Sequence, residues 1–294
     1  MTVVGVIGTG IMGEPMARNL LKTGFAVHVH NRTRSRADRL IQEGAIWKDS
    51  PSAVARDAEF LISMVPDTPD VRAVYLGERG VCESLRKNTL CIDMSTISPD
   101  VTREVAQAVK TRGGSFLDAP VSGGKTGAEA GTLSIMVGGE ASDVARAQPV
   151  FDAVGKSVVH CGPLGNGQLT KLCNQILCGA NLLGVCEAVV FAKCVGLDPN
   201  TMLRAVSRGA AGSWALDNLG PRMLSRDFAP MFMVDLQQKD LRITLTTAGN
   251  LNTPLPGTAL VSQLLAANQA ANEGREGTQA LVKVLERLSQ VGRE

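Results

Sequence analysis

The sequence predicts an α/β N-terminal domain with a parallel sheet, followed by an all-α C-terminal domain. Three observations carry this. Short β-branched runs alternate with helical patterns through the first half of the 294 residues, the order in which parallel strands are joined by crossover helices. The cluster Gly162-Pro163-Leu164-Gly165-Asn166-Gly167 then interrupts the pattern, as domain boundaries do. Beyond it the apolar spacing is helical and no segment reads convincingly as a strand. The expected domains are therefore residues 1–162 and 163–294.

In chain order, the expected strands are Val3–Gly8, Val27–Asn31, Phe60–Val65, Thr89–Asp93, Ser115–Asp118, Leu133–Val137 and Val158–Cys161. Between the first two, Met12, Met16 and Leu20 recur at helical spacing. Pro15 falls in the first turn of that helix, where its missing N–H costs little, and Gly24 supplies a stop. The run from Gln168 to Val195 reads as a helix on the order of 40 Å long at 1.5 Å per residue. Such a length suits an interface between domains or subunits. Asn174, Gln175, Asn181, Glu187 and Lys193 interrupt its apolar character, which favours a buried helix over a membrane span. Further helices are expected at Asn200–Ser207, Val234–Ala248, Thr258–Asn272 and Thr278–Gln290, with no internal repeat and no low-complexity tract.

Composition narrows the function classes. With 44 % hydrophobic and 20 % charged residues, the chain is an ordinary globular one. Its formal charge of +2 comes from 30 basic and 28 acidic residues spread along the sequence, so there is no basic stripe for nucleic acid. The seven cysteines form an odd set without a CxxC and are expected to be reduced core residues, with neither a disulfide framework nor a metal site. The N-terminus begins on a strand pattern and has no secretory signal, so a cytoplasmic protein is expected.

Gly8-Thr9-Gly10-Ile11-Met12-Gly13 matches GxGxxG at the end of the first strand and the opening of a helix. In that context the glycines make a tight turn, admit a pyrophosphate and let helix pack on strand. A Rossmann-type dinucleotide site is the expectation. At the end of the second strand an acidic residue would hold a ribose 2′-hydroxyl, but the chain reads Asn31-Arg32-Thr33-Arg34, which favours NADP(H), with NAD(H) as the alternative. Val65-Pro66 and Ser95-Thr96 follow later strands and are placed to line the same crevice.

Hydride transfer to a carbonyl needs a proton donor and an anchor for the substrate. The three histidines, His28, His30 and His160, sit within predicted strands and read as structural. Lys171 lies near the start of the long helix, with Asn174 and Gln175 at helical spacing. Spacing alone leaves these three open between a hydrated helix end and a reacting site. Asp118-Ala119-Pro120-Val121-Ser122-Gly123-Gly124 runs from a strand end into small residues, either a plain turn or a nest of amides for a carboxylate.

Four ordered motifs resemble the β-hydroxyacid dehydrogenases, the family that includes 3-hydroxyisobutyrate dehydrogenase, tartronate semialdehyde reductase and glyoxylate/succinic semialdehyde reductase. They are Gly8–Gly13, Asp118–Gly124, Gly167-Gln168-Leu169-Thr170-Lys171-Leu172-Cys173-Asn174-Gln175, and Phe232 followed by Asp235-Leu236-Gln237-Gln238-Lys239-Asp240-Leu241. The resemblance covers essentially the whole chain. It implies that Lys171 is the catalytic acid/base, that Ser122, Gly123 and Gly124 hold the substrate carboxylate, and that Asn174 supports the reacting groups. It also implies that Thr96 and Lys239 contact the cofactor while Phe232 and Asp240 line a site closing between domains.

Asn174-Gln175 and Arg208–Ser213 are similar to tartronate semialdehyde reductases, whereas Asn31-Arg32-Thr33 is similar to the plant-type glyoxylate/succinic semialdehyde reductases. The resulting expectation is NADP(H)-dependent reduction of tartronate semialdehyde, glyoxylate or succinic semialdehyde to the hydroxy acid, by a homodimer or homotetramer. The alternatives are NAD-dependent 3-hydroxyisobutyrate oxidation and a non-catalytic NADP-binding scaffold. 6-Phosphogluconate dehydrogenases resemble the chain less, having a much longer C-terminal region. Imine-reducing relatives usually lack the lysine at position 171.

Overall fold

A computed structural model describes residues 1–291, and the last residues of the expected 163–294 domain, 292–294, lie outside the described ones. The chain divides into two compact units, Met1–Lys171 and Leu172–Glu294.

The first unit is a nine-stranded sheet flanked by helices. Its strands are β1 (Val3–Ile7), β2 (Ala26–His30), β3 (Ile46–Trp47), β4 (Phe60–Ser63), β5 (Leu90–Asp93), β6 (Ser115–Asp118), β7 (Val121–Ser122), β8 (Leu133–Gly138) and β9 (Gly155–Gly162). The helices between them are α1 (Gly13–Lys22), α2 (Asp38–Gln42), α3 (Pro51–Ala55), α4 (Thr68–Leu76), α5 (Pro99–Thr111), α6 (Gly124–Ala130) and α7 (Ala141–Val154). Strand order is β3-β2-β1-β4-β5-β6-β8-β7, with β9 also paired to β8. The run from β3 to β6 is parallel throughout. Between β1 and β4 the order reverses, which opens a crevice at the carboxyl ends of the strands.

The inner strands are apolar on both faces, as a sheet covered on both sides requires. Val4, Val6, Phe60, Ile62, Leu90 and Ile92 join one core. Ile7, Leu61 and Cys91 alternate with them into a second, so the period of two along each strand feeds two layers of helices. Local signals set several boundaries. Gly24, at φ +90°, follows the end of α1 as expected. Ser50 precedes Pro51 at the head of α3 and its Oγ accepts from Ala53 N–H, the cap-then-proline start favoured by a helix.

Against seven expected strands, the sheet adds β3 and β7 and begins β9 earlier, at Gly155. Both additions are two-residue strands, too short to show a period. The sheet is also not wholly parallel. After Asp118 pairs with Gly138, the chain kinks at Ala119-Pro120 and continues as β7, still antiparallel to β8.

The helix α8 (Asn166–Cys194) begins in the first unit and continues into the second. An 18-residue window of it has a mean hydropathy of 1.7, and it is the one helix among the described residues long and apolar enough to cross a membrane, by length and composition alone. The second unit continues with α9 (Pro199–Val206), α10 (Trp214–Asn218), α11 (Gly220–Leu224), α12 (Val234–Asn250), α13 (Pro256–Ala270) and α14 (Leu281–Ser289). The short α10 and α11 have no counterpart in the sequence expectation. Their core gathers Leu182, Val189, Met223, Leu241, Leu265 and Leu281.

The cysteine expectation needs correcting. Cys91 and Cys186 are buried, but Cys173, Cys178 and Cys194 are exposed, because α8 turns them out of its packed side.

Candidate functional site

At the switch point, the loop after β1 is built by glycine. Gly8 has φ +97°, and a Cβ there would stand 2.2 Å from Met64 O. A Cβ on Gly13 would stand 1.9 Å from Gly8 O, whereas one on Gly10 would meet nothing within 4 Å. Two of the three glycines are therefore fixed by packing, and the third leaves a cradle. The helix α1 opens beside it with no side-chain cap; Glu14 N–H is taken by Gly10 O and Pro15 has none, so a phosphate would meet the positive end of the helix at the turn ahead of Glu14. Ile11 is exposed and Met12 half-buried in the same turn. These residues fit a dinucleotide pyrophosphate.

Asn31 holds the loop from the next strand. Its Oδ1 accepts from Thr9 N–H at 3.1 Å and its Nδ2 donates to Thr33 O at 2.8 Å. Arg32 is 89 % exposed, 3.7 Å from Asp70 Oδ1, and Arg34 lies over the Trp47 ring. Asn31 is neutral, with Asp70 beside Arg32 and Asp49 accepting from the Trp47 ring that Arg34 covers. His30 is engaged with Lys48 O, and His160 with Gly139 O.

The loops after β4, β5 and β6 are joined to one another and to the head of α8. Ser95 Oγ accepts from Val65 N–H at 3.0 Å, beside Pro66. Gln168 Oε1 accepts from Ile97 N–H at 3.0 Å and its Nε2 donates to Ser95 O at 2.8 Å, so one side chain holds the backbone on both sides of Thr96. Asp118 Oδ1 and Oδ2 accept from Gly165 N–H and Gln168 N–H, each at 2.8 Å. Four residues beyond Asp118, Ser122 ends β7, and Gly123 and Gly124 follow at φ +130° and +60°. Leu133 Cδ2 stands 3.2 Å from where a Gly123 Cβ would be. Lys171 lies one turn along α8 and is 7 % exposed.

Beneath these loops a polar chain is buried. Tyr75 OH and Ser63 Oγ share a 3.0 Å hydrogen bond, and Ser63 Oγ donates to Asp93 Oδ1 at 2.7 Å. Burial pushes the Asp93 carboxyl up to about 7 and Asp118 to about 6, against amide and hydroxyl donors that pull both down. A carboxyl whose folded-state pKa is raised holds more protons than the unfolded chain between about 4 and 7, so its contribution to stability declines as pH climbs through that window. The melting temperature is accordingly expected to fall from about pH 4 to about pH 7 on this account, and Asp93→Asn to flatten that fall. Thermal unfolding of the two proteins side by side isolates the carboxyl from His28 and His30, whose burial lowers their pKa and acts in the opposite sense. Equal pH slopes would contradict the buried charge.

In the second unit, Gln175 Nε2 donates to Asp240 Oδ2 at 2.6 Å and to Gln237 Oε1 at 3.1 Å. Lys239 Nζ lies 2.7 Å from Asp240 Oδ1. Gln175, Gln237 and Asp240 are all buried, so each polar group there has to be paired. Phe232 precedes α12, half-buried, and its carbonyl accepts from Thr278 N–H. Asn174, half-buried, precedes Gln175 on α8.

Sequence reasoning placed Ser95 at the crevice but missed Asp93, Gln168 and Gln237 as partners in these networks. Gln168 and Gln237 stand inside quoted motifs, one turn before Lys171 and Asp240, and that spacing was the available signal.

Two family models match the chain: the NAD binding domain of 6-phosphogluconate dehydrogenase over residues 3–162, and the NAD-binding domain of NADP-dependent 3-hydroxyisobutyrate dehydrogenase over residues 165–285. The chain is 41 % identical to the 2-hydroxy-3-oxopropionate reductase of Escherichia coli over 97 % of its own length and 98 % of that protein's. It is similar to the solved 3-hydroxyisobutyrate dehydrogenase of Mycobacterium tuberculosis with L-serine, at a TM-score of 0.90 and 31 % identity, covering 97 % of this chain and 99 % of that one. Psf3 in complex with NADP+ and 2-OPP superposes at a TM-score of 0.87 with 28 % identity, covering 96 % and 99 %.

Proposed function

The chain belongs to the 3-hydroxyisobutyrate dehydrogenase-like family of β-hydroxyacid dehydrogenases, and from that premise we propose that it uses NADPH to reduce a short carboxylate-bearing aldehyde, tartronate semialdehyde first. The observation that carries this reading is the place of Lys171, buried on α8 one turn beyond the residues that hydrogen-bond the Thr96 loop and the end of β6. The identity to the Escherichia coli reductase supports the substrate class.

When bound, the nicotinamide supplies the hydride. The chain's own residues do the rest. Lys171, as the ammonium, gives its Nζ proton to the oxygen that becomes an alkoxide, and in the reverse direction the neutral amine takes it back. Ser122 Oγ and the amides of Gly123 and Gly124 hold the carboxylate, where the absence of Cβ atoms lets an anion approach the backbone. Asn174 orients the reacting groups. The turn from Gly8 to Gly13 binds the pyrophosphate. Val65, Pro66, Thr96 and Lys239 contact the nicotinamide half. Phe232, Asp240 and Gln175 contribute to the substrate side.

Asn31, Arg32 and Thr33 bind the 2′-phosphate end, with Arg34 adjoining. A neutral Asn31 removes the repulsion that an acid would bring, and charge-assisted bonds to a phosphate contribute roughly 1.5–3 kcal/mol each. Psf3 was solved with NADP+, which supports the same choice. A second reading, oxidation of 3-hydroxyisobutyrate, is favoured by the match of residues 165–285, whose family description names an NADP-dependent enzyme, and by the similarity to the Mycobacterium tuberculosis structure.

One assay separates them. With tartronate semialdehyde, glyoxylate, succinic semialdehyde and methylmalonate semialdehyde, tartronate semialdehyde is expected to give the highest kcat/KM, and NADPH to exceed NADH by about tenfold or more, one charge-assisted contact's worth. A clear NADH preference would overturn the cofactor assignment, and 3-hydroxyisobutyrate oxidation outrunning every reduction would favour the second reading. Light scattering on the same preparation is expected to return at least two chain masses, since Leu177 and Phe191 of α8 and Val195 just beyond its end are exposed apolar side chains that a second copy would cover. A single-chain mass would contradict the homo-oligomer.

A further inference from the structure

Two fully buried side chains take no part in the chemistry just described. Asp118 and Gln168 are both 0 % exposed. Asp118 closes β6 and divides its carboxylate between Gly165 N–H and Gln168 N–H at the entry of α8, at 2.8 Å each. An anion there satisfies amides that a helix start leaves unpaired and opposes the positive end of its dipole. Gln168 reaches the other way, accepting from Ile97 N–H at 3.0 Å and donating to Ser95 O at 2.8 Å. Both functional groups of its amide are thus engaged on backbone 71 and 73 residues away.

The packing around these bonds leaves no slack. A Cβ on Gly167 would stand 2.5 Å from both Asp118 O and Met136 O, and one on Gly138 2.5 Å from Asp118 Oδ1. The first turn of α8 can therefore neither rise nor rotate without breaking a buried hydrogen bond. Lys171 follows Gln168 by three residues and shares its face of the helix. A small rotation of this turn would carry the lysine off its line of approach.

We propose that Asp118 and Gln168 form a clamp that fixes the height and rotation of the first turn of α8, and are positioning residues for Lys171. They act on the rate of proton delivery and not on the affinity for cofactor or substrate. The inference rests on the acid–base reading of Lys171. Its expected size follows from the sensitivity of reacting geometry, in which a displacement of about 1 Å costs on the order of 100-fold in rate.

The test is a double-mutant cycle on the full chain with NADPH and tartronate semialdehyde. Gln168→Met keeps the length of the side chain and removes both hydrogen bonds. It is expected to lower kcat by about 10- to 100-fold, to leave the Kd of NADPH and the KM of the aldehyde within about threefold, and to raise the isotope effect with 4-deuterated NADPH. A merely structural role would move folded fraction and melting temperature but not the isotope effect per active site.

In the Lys171→Ala background the same substitution is expected to cost less than about twofold more, because residues acting through one group are not additive. Equal losses in both backgrounds would overturn the clamp while leaving Lys171 in place, and so would an unchanged kcat and isotope effect in folded Gln168→Met. Near-normal turnover of Lys171→Ala alone would overturn the acid–base reading, and the clamp with it. Should Gln168→Met not fold, Gln168→Glu keeps an acceptor for Ile97 and loses the donor to Ser95, and the same comparisons decide.

Discussion

Lys171→Ala is expected to lower turnover by about 10²- to 10⁴-fold, the range that a positioned general acid contributes, while NADPH still binds. The methyl group removes the ammonium that would give its proton to the developing alkoxide, while the turn from Gly8 to Gly13 keeps the backbone contacts that shape it. Single-turnover oxidation of NADPH measures the first quantity and fluorescence titration of NADPH the second. Lys171→Arg sharpens the result. Its guanidinium keeps a positive charge but does not give up a proton in the working range, so a recovery by Arg comparable to wild type would mean that charge alone, without proton transfer, carries the rate. Turnover of the alanine variant within a few-fold of wild type would remove Lys171 from the mechanism.

Gly10→Ala and Gly13→Ala are expected to fail in opposite ways. At Gly13 a Cβ would stand 1.9 Å from Gly8 O, and the contact is with backbone, so the loop itself must move. Overpacking of that kind costs about 1–3 kcal/mol, and the melting temperature should drop by several degrees without any cofactor present. At Gly10 no atom lies within 4 Å of the added carbon. The apo protein should therefore melt as wild type does, while the Kd for NADPH rises by about tenfold or more, because the methyl group occupies the place where backbone approaches pyrophosphate. Calorimetry on the apo proteins and titration with NADPH separate the two losses. Tight NADPH binding by Gly10→Ala would mean that the cradle is not where the phosphates sit.

The contrast between those glycines also marks the limit of what a motif conveys. GxGxxG identifies the turn, yet its three glycines look alike in the sequence. Only the approach of Met64 O to Gly8, and of Gly8 O to Gly13, distinguishes two packing glycines from the open one.

Lys171 at the head of the long helix was singled out through the family resemblance, whereas the sequence by itself determined the alternation of strands and helices, the point at which strands stop and the glycine turn after the first strand. These are local properties. A period of two or of 3.6, a cap followed by proline, or a glycine after a strand is present in a short window whatever the rest of the chain does. Tertiary structure alone decided that Asp118–Ser122 kinks along β8 as an antiparallel pair, that β9 lines the far side of β8, and that Asp118 and Gln168 bind the entry of α8 to two separate loops. The partner of a buried amide 71 residues away depends on which strands become neighbours and in what register. That choice is settled by the packing of both faces of the sheet at once, and no window of sequence contains it.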